Sequence, residues 1–194
     1  HIIALPNNVP IEKVLQINKD VVIQDLNSQA FKKILESIRL EVKTVWDVCA
    51  ASGGKSILMY DVLEKPSLTL TDIRASIIHN AQKRLQEANV PVVQFAVQDI
   101  SKPISFSNNF DLVFADVPCS GSGTWGRTPE QLAFFTTAHL SHYTMLQKQI
   151  VSNCIKAVKP GGYLLYATCS IYKDENELQI ESIVKEHSFE IINQ

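Results

Sequence analysis

The stretch Asp47-Val48-Cys49-Ala50-Ala51-Ser52-Gly53-Gly54-Lys55-Ser56 indicates how this chain folds. It joins an apolar run at residues 44–48, which predicts a buried strand, to an amphipathic segment that predicts a helix ending near Leu63. The small residues of the turn at 51–54 allow a ligand to approach the backbone closely. The N–H groups at the start of the following helix point toward such a ligand. We therefore expect a strand, a ligand-binding turn and a helix here.

The same alternation of short apolar runs and amphipathic segments continues along the chain. It predicts helices at residues 28–40, which Asn27 would cap, and at 75–88, 129–158 (one or two helices) and 174–187. Strands are predicted at 21–24, 67–71, 92–97, 110–115, 163–168 and 188–192, with a loop at 118–128 and a helix stop and turn at 159–162. This order predicts a Rossmann-like α/β fold, that is, an open, mostly parallel sheet with helices on both faces.

Four polar residues fall at or just after the carboxyl ends of predicted strands. They are Asp72, Asp99, Asp116 and Cys169. In open α/β sheets ligands bind at this edge. The four residues therefore mark a candidate site.

Three kinds of ligand compete for the glycine turn. Gly54-Lys55-Ser56 fits the end of a Walker phosphate loop, but Cys49 stands where that loop needs its first glycine. A dinucleotide fingerprint needs G-x-G-x-x-G, and here only Gly53 and Gly54 are present, side by side. S-adenosylmethionine carries no phosphates and needs only a tight turn; Asp72 suits its ribose hydroxyls and Asp99 its adenine amino group. The competing interpretation is that the glycines merely form a turn and the aspartates cap helices.

The chain has four cysteines, Cys49, Cys119, Cys154 and Cys169, and none belongs to a C-x-x-C pair. Their wide spacing argues against a metal site and against a secreted disulfide framework. We expect free thiols in a reducing cytoplasm. Cys154 lies within a predicted helix and Cys49 within the turn, so we expect the first to pack in the core and the second to pack or contact through its backbone.

The other two cysteines lie in Asp116-Val117-Pro118-Cys119-Ser120-Gly121 and in Thr168-Cys169-Ser170, after two strands that would be neighbours. The flanking Pro, Gly, Ser and Thr residues favour loops, so both thiols could face one pocket. Two thiols suit methyl transfer to carbon 5 of cytosine, because a thiolate that adds at carbon 6 makes carbon 5 nucleophilic. Asp116 is the candidate that assists at ring nitrogen 3, and the second thiol could assist release.

The composition of the 194 residues, 45% hydrophobic and 20% charged, is typical of one globular domain. No apolar run approaches the ~20 residues of a membrane helix, and no signal peptide is visible, so we expect a cytoplasmic protein, acting as a monomer. Because the chain starts with His, we expect a fragment of a longer protein, with an N-terminal extension and first helix over residues 1–40 and a catalytic domain over 41–194. The net charge of −2 is not that of a strong nucleic-acid binder, so RNA affinity would need a local basic patch or further parts of the protein.

With these motifs in place, the chain resembles the Sun/nucleolar-protein family of RNA cytosine-carbon-5 methyltransferases from about residue 24 to 188. Gln24-Asp25-x-x-Ser28-Gln29 is similar to the segment that leads into the family's catalytic domain, and residues 47–56 are similar to its cofactor loop. The two cysteine motifs resemble the family's pair. The resemblance implies that Cys169 is the nucleophile and that Cys119 helps product release. It also implies an S-adenosylmethionine site lined by Cys49, Ala50, Ala51, Ser52, Gly53, Gly54, Lys55, Asp72, Asp99 and Asp116.

The chain departs from the family pattern at three positions. Ser52 replaces the usual proline, Ile77 replaces a common arginine five residues after Asp72, and Arg127 stands alone where two arginines often precede Pro129. The last departure weakens an expected phosphate contact.

Two other functions compete with an RNA methyltransferase. A DNA cytosine-carbon-5 methyltransferase would use the Pro-Cys cysteine as its nucleophile without a Thr-Cys-Ser partner, so Cys169 argues against it. The presence of both cysteines and of all three aspartates argues against a catalytically weak cofactor- or RNA-binding module. The resemblance favours ribosomal RNA as the substrate, with transfer RNA second. Trp125, Phe134 and Tyr172 either stack on RNA bases or pack within the protein.

Overall fold

The computed structural model describes residues 9–24, 26–38, 41–104, 110–187 and 189–192. Five parallel strands form one sheet in the order β3-β2-β1-β4-β5. The strands are β1 (Thr44–Asp47), β2 (Ser67–Asp72), β3 (Val92–Val97), β4 (Phe110–Asp116) and β5 (Val158–Ala167). The α-helices are α1 (Leu26–Ser37), α2 (Gly54–Val62), α3 (Ala75–Glu87), α4 (Glu130–Phe134), α5 (Thr137–Cys154) and α6 (Glu177–Glu186). The predicted parallel α/β architecture is confirmed.

Each face of the sheet carries its own hydrophobic core, because successive strand residues point to opposite faces. Val45 and Phe114 face a core that includes Leu35 of α1, Met59 of α2 and Leu85 of α3. On the other face, the neighbouring strand residues pack against α5; they include Trp46, Val113 and Ala115, which meet Ile150 and Cys154. Helices therefore cover both faces, as predicted, and the central strands are buried on both sides.

The strand order creates a crevice between β1 and β4. From β1 the chain runs outward through β2 to β3, and it then returns to β4 on the other side of β1. Connections on the two sides of this point leave the sheet in opposite directions, and ligands bind at such a switch point beyond the strand carboxyl ends. Asp47 ends β1 and Asp116 ends β4, so both carboxyl groups lie at this crevice.

Two predictions near the N-terminus were wrong. Residues 21–24 do not form a strand: Val21 makes only an isolated bridge to Ile17, and Ile23 is exposed. In the described part of the chain this segment pairs with no strand of the sheet, and β-branched side chains alone do not make a strand. The first helix begins at Leu26, so Asn27 lies within the helix and not at the position before it. The predicted helix end at Leu40 lies outside the described residues, and the domain boundary at 40–41 stays a prediction.

Two predictions near the C-terminus also need correction. Residues 159–162, predicted as a helix stop and turn, belong to β5, and the register between β4 and β5 shifts between Phe110 and Leu112. Gly161 has a φ of 75° at this irregularity, so the glycines mark a bulge in a strand instead of its start. The final strand predicted at 188–192 is absent from residues 189–192, and Ser188 lies outside the described residues. The helix predicted from Asp174 begins as a 3-10 turn, Lys173–Glu175, and continues as α6.

In the described part of the chain, no helix has both the length and the apolar character needed to cross a membrane.

Replacement of Gly162 by Ala should destabilise the protein. An added Cβ would lie 2.9 Å from the carbonyl oxygen of Asp111 and 3.0 Å from that of Lys159, and these backbone atoms cannot move aside freely. We expect Gly162→Ala to lower the free energy of unfolding by about 1–3 kcal/mol, the usual cost of overpacking. The matched control is Gly126→Ala, whose Cβ meets nothing within 4 Å. It should change stability by less than about 0.5 kcal/mol in urea unfolding. Equal stabilities of the two variants would contradict this account of the bulge.

Candidate active site

The glycine turn after β1 is held rigidly against the neighbouring strands. The N–H of Val48 donates to the carbonyl of Phe114, and the N–H of Ala50 donates to the carbonyl of Thr71, both at 2.9 Å. Gly53 has a φ of 77°, and a Cβ there would lie 2.3 Å from Leu85. Only glycine combines this conformation with the close approach of α3. The tight turn predicted from the sequence is therefore present.

A cavity of about 260 Å³ lies at the turn, beside the carboxyl ends of β1 and β4. Most of the predicted cofactor residues line it, namely Cys49, Ala50, Ala51, Ser52, Gly54, Lys55 and Asp116. Sequence reasoning missed Gln24, Asp47 and Arg84, which line it as well. Gln24 was detectable from the segment it begins, whereas nothing in the local sequence marks Arg84, which lies in the last turn of α3.

Asp72 is buried and fixes the turn from the end of β2. Its Oδ2 accepts from the N–H of Ala51 at 3.1 Å and from Nη2 of Arg74 at 2.9 Å, and its Oδ1 accepts from the N–H and Nε of Arg74. Burial raises the pKa of Asp72, but the hydrogen bonds from Arg74 and Ala51 outweigh it and hold that pKa below its usual range. A carboxylate accepts about four hydrogen bonds, so a ribose hydroxyl at Asp72 requires Arg74 to move.

Asp99 stands apart from the turn. Its Oδ1 accepts from the N–H of Ser101 at 3.0 Å and from the hydroxyl of Ser101 at 2.6 Å, and Lys102 lies 3.4 Å from its Oδ2. These local contacts lower its pKa. Asp99 does not line the cavity, and its predicted contact with an adenine stays a prediction.

Asp47 presents a buried oxygen that has no hydrogen-bond partner among the described residues. Its Oδ2 accepts from the hydroxyl of Ser56 at 2.5 Å, whereas its Oδ1 is buried and unpaired. Burial raises the pKa of Asp47 to about 7. Because an unsatisfied buried acceptor is costly, this oxygen suits a donor or cation that enters the cavity.

The two predicted reactive thiols are in contact. Sγ of Cys119 lies 3.2 Å from Sγ of Cys169, and the N–H of Cys169 points to Sγ of Cys119 at 3.3 Å. Cys169 is exposed, and Cys119 is half-buried. The hydrogen bond from Cys119 lowers the pKa of Cys169 to about 7, and the same contact raises the pKa of Cys119. Cys169 is therefore the thiol of the pair that ionises first.

Lys55 and Asp116 form an ion pair beside this contact. Nζ of Lys55 lies 2.6 Å from Oδ2 of Asp116, and both side chains are partly exposed. Both charges act on the thiol of Cys169, the carboxylate raising its pKa and the ammonium lowering it. The sequence placed Asp116 at the site through its motif, and the structure adds Lys55 as its partner.

A buried glutamate that sequence reasoning missed anchors the Cys119 loop. Glu175 is fully buried and accepts from the N–H of Ser120 at 2.8 Å, from the hydroxyl of Ser120 at 2.5 Å and from Nε2 of Gln147 at 3.0 Å. Gln147 also donates to the carbonyl of Pro118 at 2.9 Å. The polar run that contains Glu175 follows the Cys169 motif directly, but it predicts an exposed helix start and gives no sign of burial.

The next residue, Asn176, anchors the Cys169 loop. Its Oδ1 accepts from the hydroxyl of Thr168 at 2.6 Å, and its Nδ2 donates to the carbonyls of Ser170 and Tyr172. The N–H of Gly123 closes the arrangement by donating to the carbonyl of Cys169 at 2.9 Å. The dipeptide 175–176 thus positions both cysteine loops.

The other cysteines and the aromatic candidates lie outside the contact between the two reactive thiols. Cys154 is fully buried in the core, as predicted. Cys49 packs against the same core, and burial raises the pKa of its thiol. Trp125 and Tyr172 both contact Phe135, whereas Phe134 is exposed. Within the described ranges, no group of three or more His, Cys, Asp or Glu side chains could hold a metal ion.

The parallel sheet, its switch point and the glycine turn are those of a Rossmann-like fold, and the chain belongs to the class of methyltransferases that use S-adenosylmethionine. The sequence pattern of the 16S rRNA methyltransferase RsmB/F family matches residues 37–193, and the chain belongs to this family. The predicted resemblance to the Sun family is thereby confirmed.

Curated relatives and solved structures agree with this assignment. Ribosomal RNA small subunit methyltransferase B of Photorhabdus laumondii is 31% identical over 170 residues, which are 87% of this chain and 39% of the relative. The protein of the same name from Pasteurella multocida is 32% identical over 170 residues, 84% of this chain and 38% of the relative. A methyltransferase homologue from Pyrococcus horikoshii has a TM-score of 0.68 at 25% identity, over 87% of this chain and 52% of that one. The structure of NSun6 from the same organism with SFG shares the fold, with a TM-score of 0.78 at 22% identity, over 95% of this chain and 46% of that one. The chain thus spans about 39% of the length of the curated relatives it matches.

The cavity fits S-adenosylmethionine in its chemistry. The cofactor has an ammonium group, which suits the unpaired Oδ1 of Asp47, and a carboxylate, which suits the cations at the cavity. The volume of the cavity is slightly below the range of about 300–1,000 Å³ that is typical of ligand pockets. The cavity therefore accommodates part of the cofactor.

Alkylation of Cys169 by iodoacetamide should report the sulfur contact. Because the pKa of Cys169 is about 7, its alkylation rate should rise with pH to a midpoint near 7. In Cys119→Ala the hydrogen bond is lost, so the midpoint should move up toward the ordinary value of 9.0. Peptide mass spectrometry measures the rate at Cys169 alone, and Cys154→Ala should leave the midpoint unchanged. A midpoint that stays near 7 in Cys119→Ala would show that the contact does not control ionisation.

Removal of the Glu175 carboxyl group should destabilise the protein strongly. Glu175→Ala leaves the N–H of Ser120 without its acceptor in a buried region and should cost about 2–4 kcal/mol in urea unfolding. Glu181→Ala, at an exposed position of α6, is the matched control and should change stability by less than about 0.5 kcal/mol. The anchoring role is refuted if both variants unfold at the same urea concentration.

Proposed function

We propose that this chain transfers a methyl group to carbon 5 of a cytosine in RNA through a covalent bond between Cys169 and the base. The observation that carries the proposal is the contact of 3.2 Å between the sulfurs of Cys119 and Cys169, with the Lys55–Asp116 pair beside it. Membership of an rRNA methyltransferase family supports the RNA substrate. S-adenosylmethionine supplies the methyl group when it is bound.

Cys169 begins the reaction in this proposal. Its thiolate adds to carbon 6 of the cytosine, and the electron pair of the 5,6 double bond moves toward carbon 5 and ring nitrogen 3. A pKa of about 7 keeps a large fraction of Cys169 as thiolate at neutral pH. Hydrogen bonding at nitrogen 3 favours the addition, and the Lys55–Asp116 pair holds a proton that it can share with this edge of the base.

Cys119 acts on release. After methylation, carbon 5 loses its proton to water, the double bond re-forms, and the carbon–sulfur bond at carbon 6 breaks with its electrons passing to Cys169. A thiol 3.2 Å away can donate a hydrogen bond to the departing thiolate and so lower the barrier to its departure. The contact that promotes ionisation of Cys169 before attack thus also promotes its departure.

We propose ribosomal RNA as the substrate, because the curated relatives are named ribosomal RNA small subunit methyltransferase B. This substrate places the reaction in the cytoplasm. The net charge of −2 gives the chain little general affinity for RNA, so binding depends on local contacts. Extrusion of a base costs less from a loop than from a duplex, which favours a flexible RNA segment. Transfer RNA is the alternative substrate.

The two cysteine variants should fail in different ways. With ribosomal RNA and labelled S-adenosylmethionine, Cys169→Ala should transfer no methyl group because the adduct cannot form. Cys119→Ala should accumulate a covalent protein–RNA adduct, visible as a shifted band on a denaturing gel. Cys154→Ala, a substitution in the core, should still turn over and form no stable adduct.

Three results would contradict the mechanism. They are turnover by Cys169→Ala, unimpaired turnover without adduct by Cys119→Ala, and an adduct trapped by Cys169→Ala instead. Parallel reactions with transfer RNA and with DNA of the same sequence test the substrate class.

A further inference from the structure

Arg84 lies in the last turn of α3, and its side chain reaches the glycine turn. It lies on α3 one residue before Leu85, which packs under Gly53 of the glycine turn. Its guanidinium therefore extends over the turn: Nη1 donates to the hydroxyl of Ser52 at 3.0 Å, and a Cβ on Gly54 would lie 3.3 Å from Nη1. Arg84 also lines the cavity.

The charge of Arg84 is not neutralised. Its Nε donates to the amide oxygen of Asn18 at 2.9 Å, so both of its hydrogen-bond partners are neutral. Across the described ranges, Arg84 forms no ion pair, and burial lowers the pKa of its guanidinium. An arginine has five N–H donors, so three of them remain for a ligand. A partly desolvated cation without a counter-ion creates a site for an anion.

The N-terminal end of α2 also favours binding of an anion at this place. Gly54 is the first residue of the nine-residue helix α2, whose N-terminal end carries a partial positive charge. The guanidinium of Arg84 lies next to Gly54. Nε2 of Gln24 donates to the carbonyl of Gly54 at 2.6 Å. An arginine fork, a helix N-terminus and an amide thus converge on one corner of the cavity.

We infer that Arg84 binds the carboxylate of S-adenosylmethionine. The carboxylate is the one anionic group of this cofactor, and a planar guanidinium binds carboxylates through two parallel hydrogen bonds. The inference rests on the cofactor of the proposed function, but it needs neither the RNA substrate nor the cysteine chemistry. Arg84 also contacts Asn18 and Ser52, so the experiment must separate ligand binding from support of the turn.

Two ligands that differ only in this group provide the test. Decarboxylated S-adenosylmethionine keeps the adenosine, the sulfonium and the amine but lacks the carboxylate. Binding of each ligand to the purified chain is measured by isothermal titration calorimetry without RNA. We expect the native protein to bind S-adenosylmethionine about 10- to 100-fold more tightly than the decarboxylated ligand, the effect of a hydrogen bond between charged groups.

The variants assign this preference to Arg84. In Arg84→Met the preference should fall to less than about threefold, with the affinity for the decarboxylated ligand nearly unchanged. Arg84→Lys, which keeps the charge but loses the fork, should retain part of the preference. Lys83→Met removes one positive charge from the neighbouring exposed position and should retain all of it. Thermal unfolding of each variant shows whether the fold is kept.

Several outcomes would overturn the inference. One is a native protein that does not distinguish the two ligands, a comparison that holds even if Arg84→Met does not fold. Others are a full preference in Arg84→Met, or an equal loss of affinity for both ligands, which would show that Arg84 only supports the turn. Failure to bind S-adenosylmethionine at all would overturn the inference and the cofactor together. Tight binding without RNA methylation would contradict the proposed function alone.

Discussion

The buried residue Glu175 connects the loop after β4 to the strand that leads to Cys169. Its carboxyl oxygens accept from the N–H and the hydroxyl of Ser120. Its backbone carbonyl accepts from the hydroxyl of Tyr166 in β5 at 2.7 Å. Burial of an acidic side chain is unfavourable by several kcal/mol unless hydrogen bonds compensate it. The compensation here comes from the same groups that fix Cys119. The closeness of the two sulfurs is therefore a property of this network more than of either cysteine motif.

The register of β4 and β5 is the second constraint on the sulfur contact. Phe110 pairs with Val158, but Leu112 pairs with Tyr163, so β5 contains extra residues at its bulge. Beyond the bulge the pairing is regular and ends with Asp116 opposite Ala167. Each cysteine follows its strand end within three residues. A slip of one residue would turn the end of β5 to the opposite face and move Cys169 away from Cys119.

The sequence predicts best those features that depend on neighbouring residues. The five parallel strands and the glycine turn follow from local apolar runs and from Gly53, and both are present. Predictions failed where distant contacts decide. Residues 21–24 have strand-forming side chains but do not pair with the described strands of the sheet. Pro160 and Gly161 predict a turn, but they lie within β5, which pairs with β4 on both sides of them. Glu175 could not be recognised as buried, since its environment comes from segments 28 and 55 residues away in the sequence.

The charges around the cavity explain why a zwitterionic ligand suits it better than a nucleotide. Asp47 offers an unpaired oxygen, Lys55 is paired with Asp116, and Arg84 has no acidic partner within the described part of the chain. A triphosphate would bring several negative charges close to Asp47 and Asp116, whereas an amino acid group brings one charge of each sign. Asp47 also couples binding to protonation. Because its pKa is about 7, it is partly protonated at neutral pH, and a bound ammonium group would favour its ionised form. Binding of a cationic group there would therefore release a proton, and its affinity would rise as the pH increases through 7.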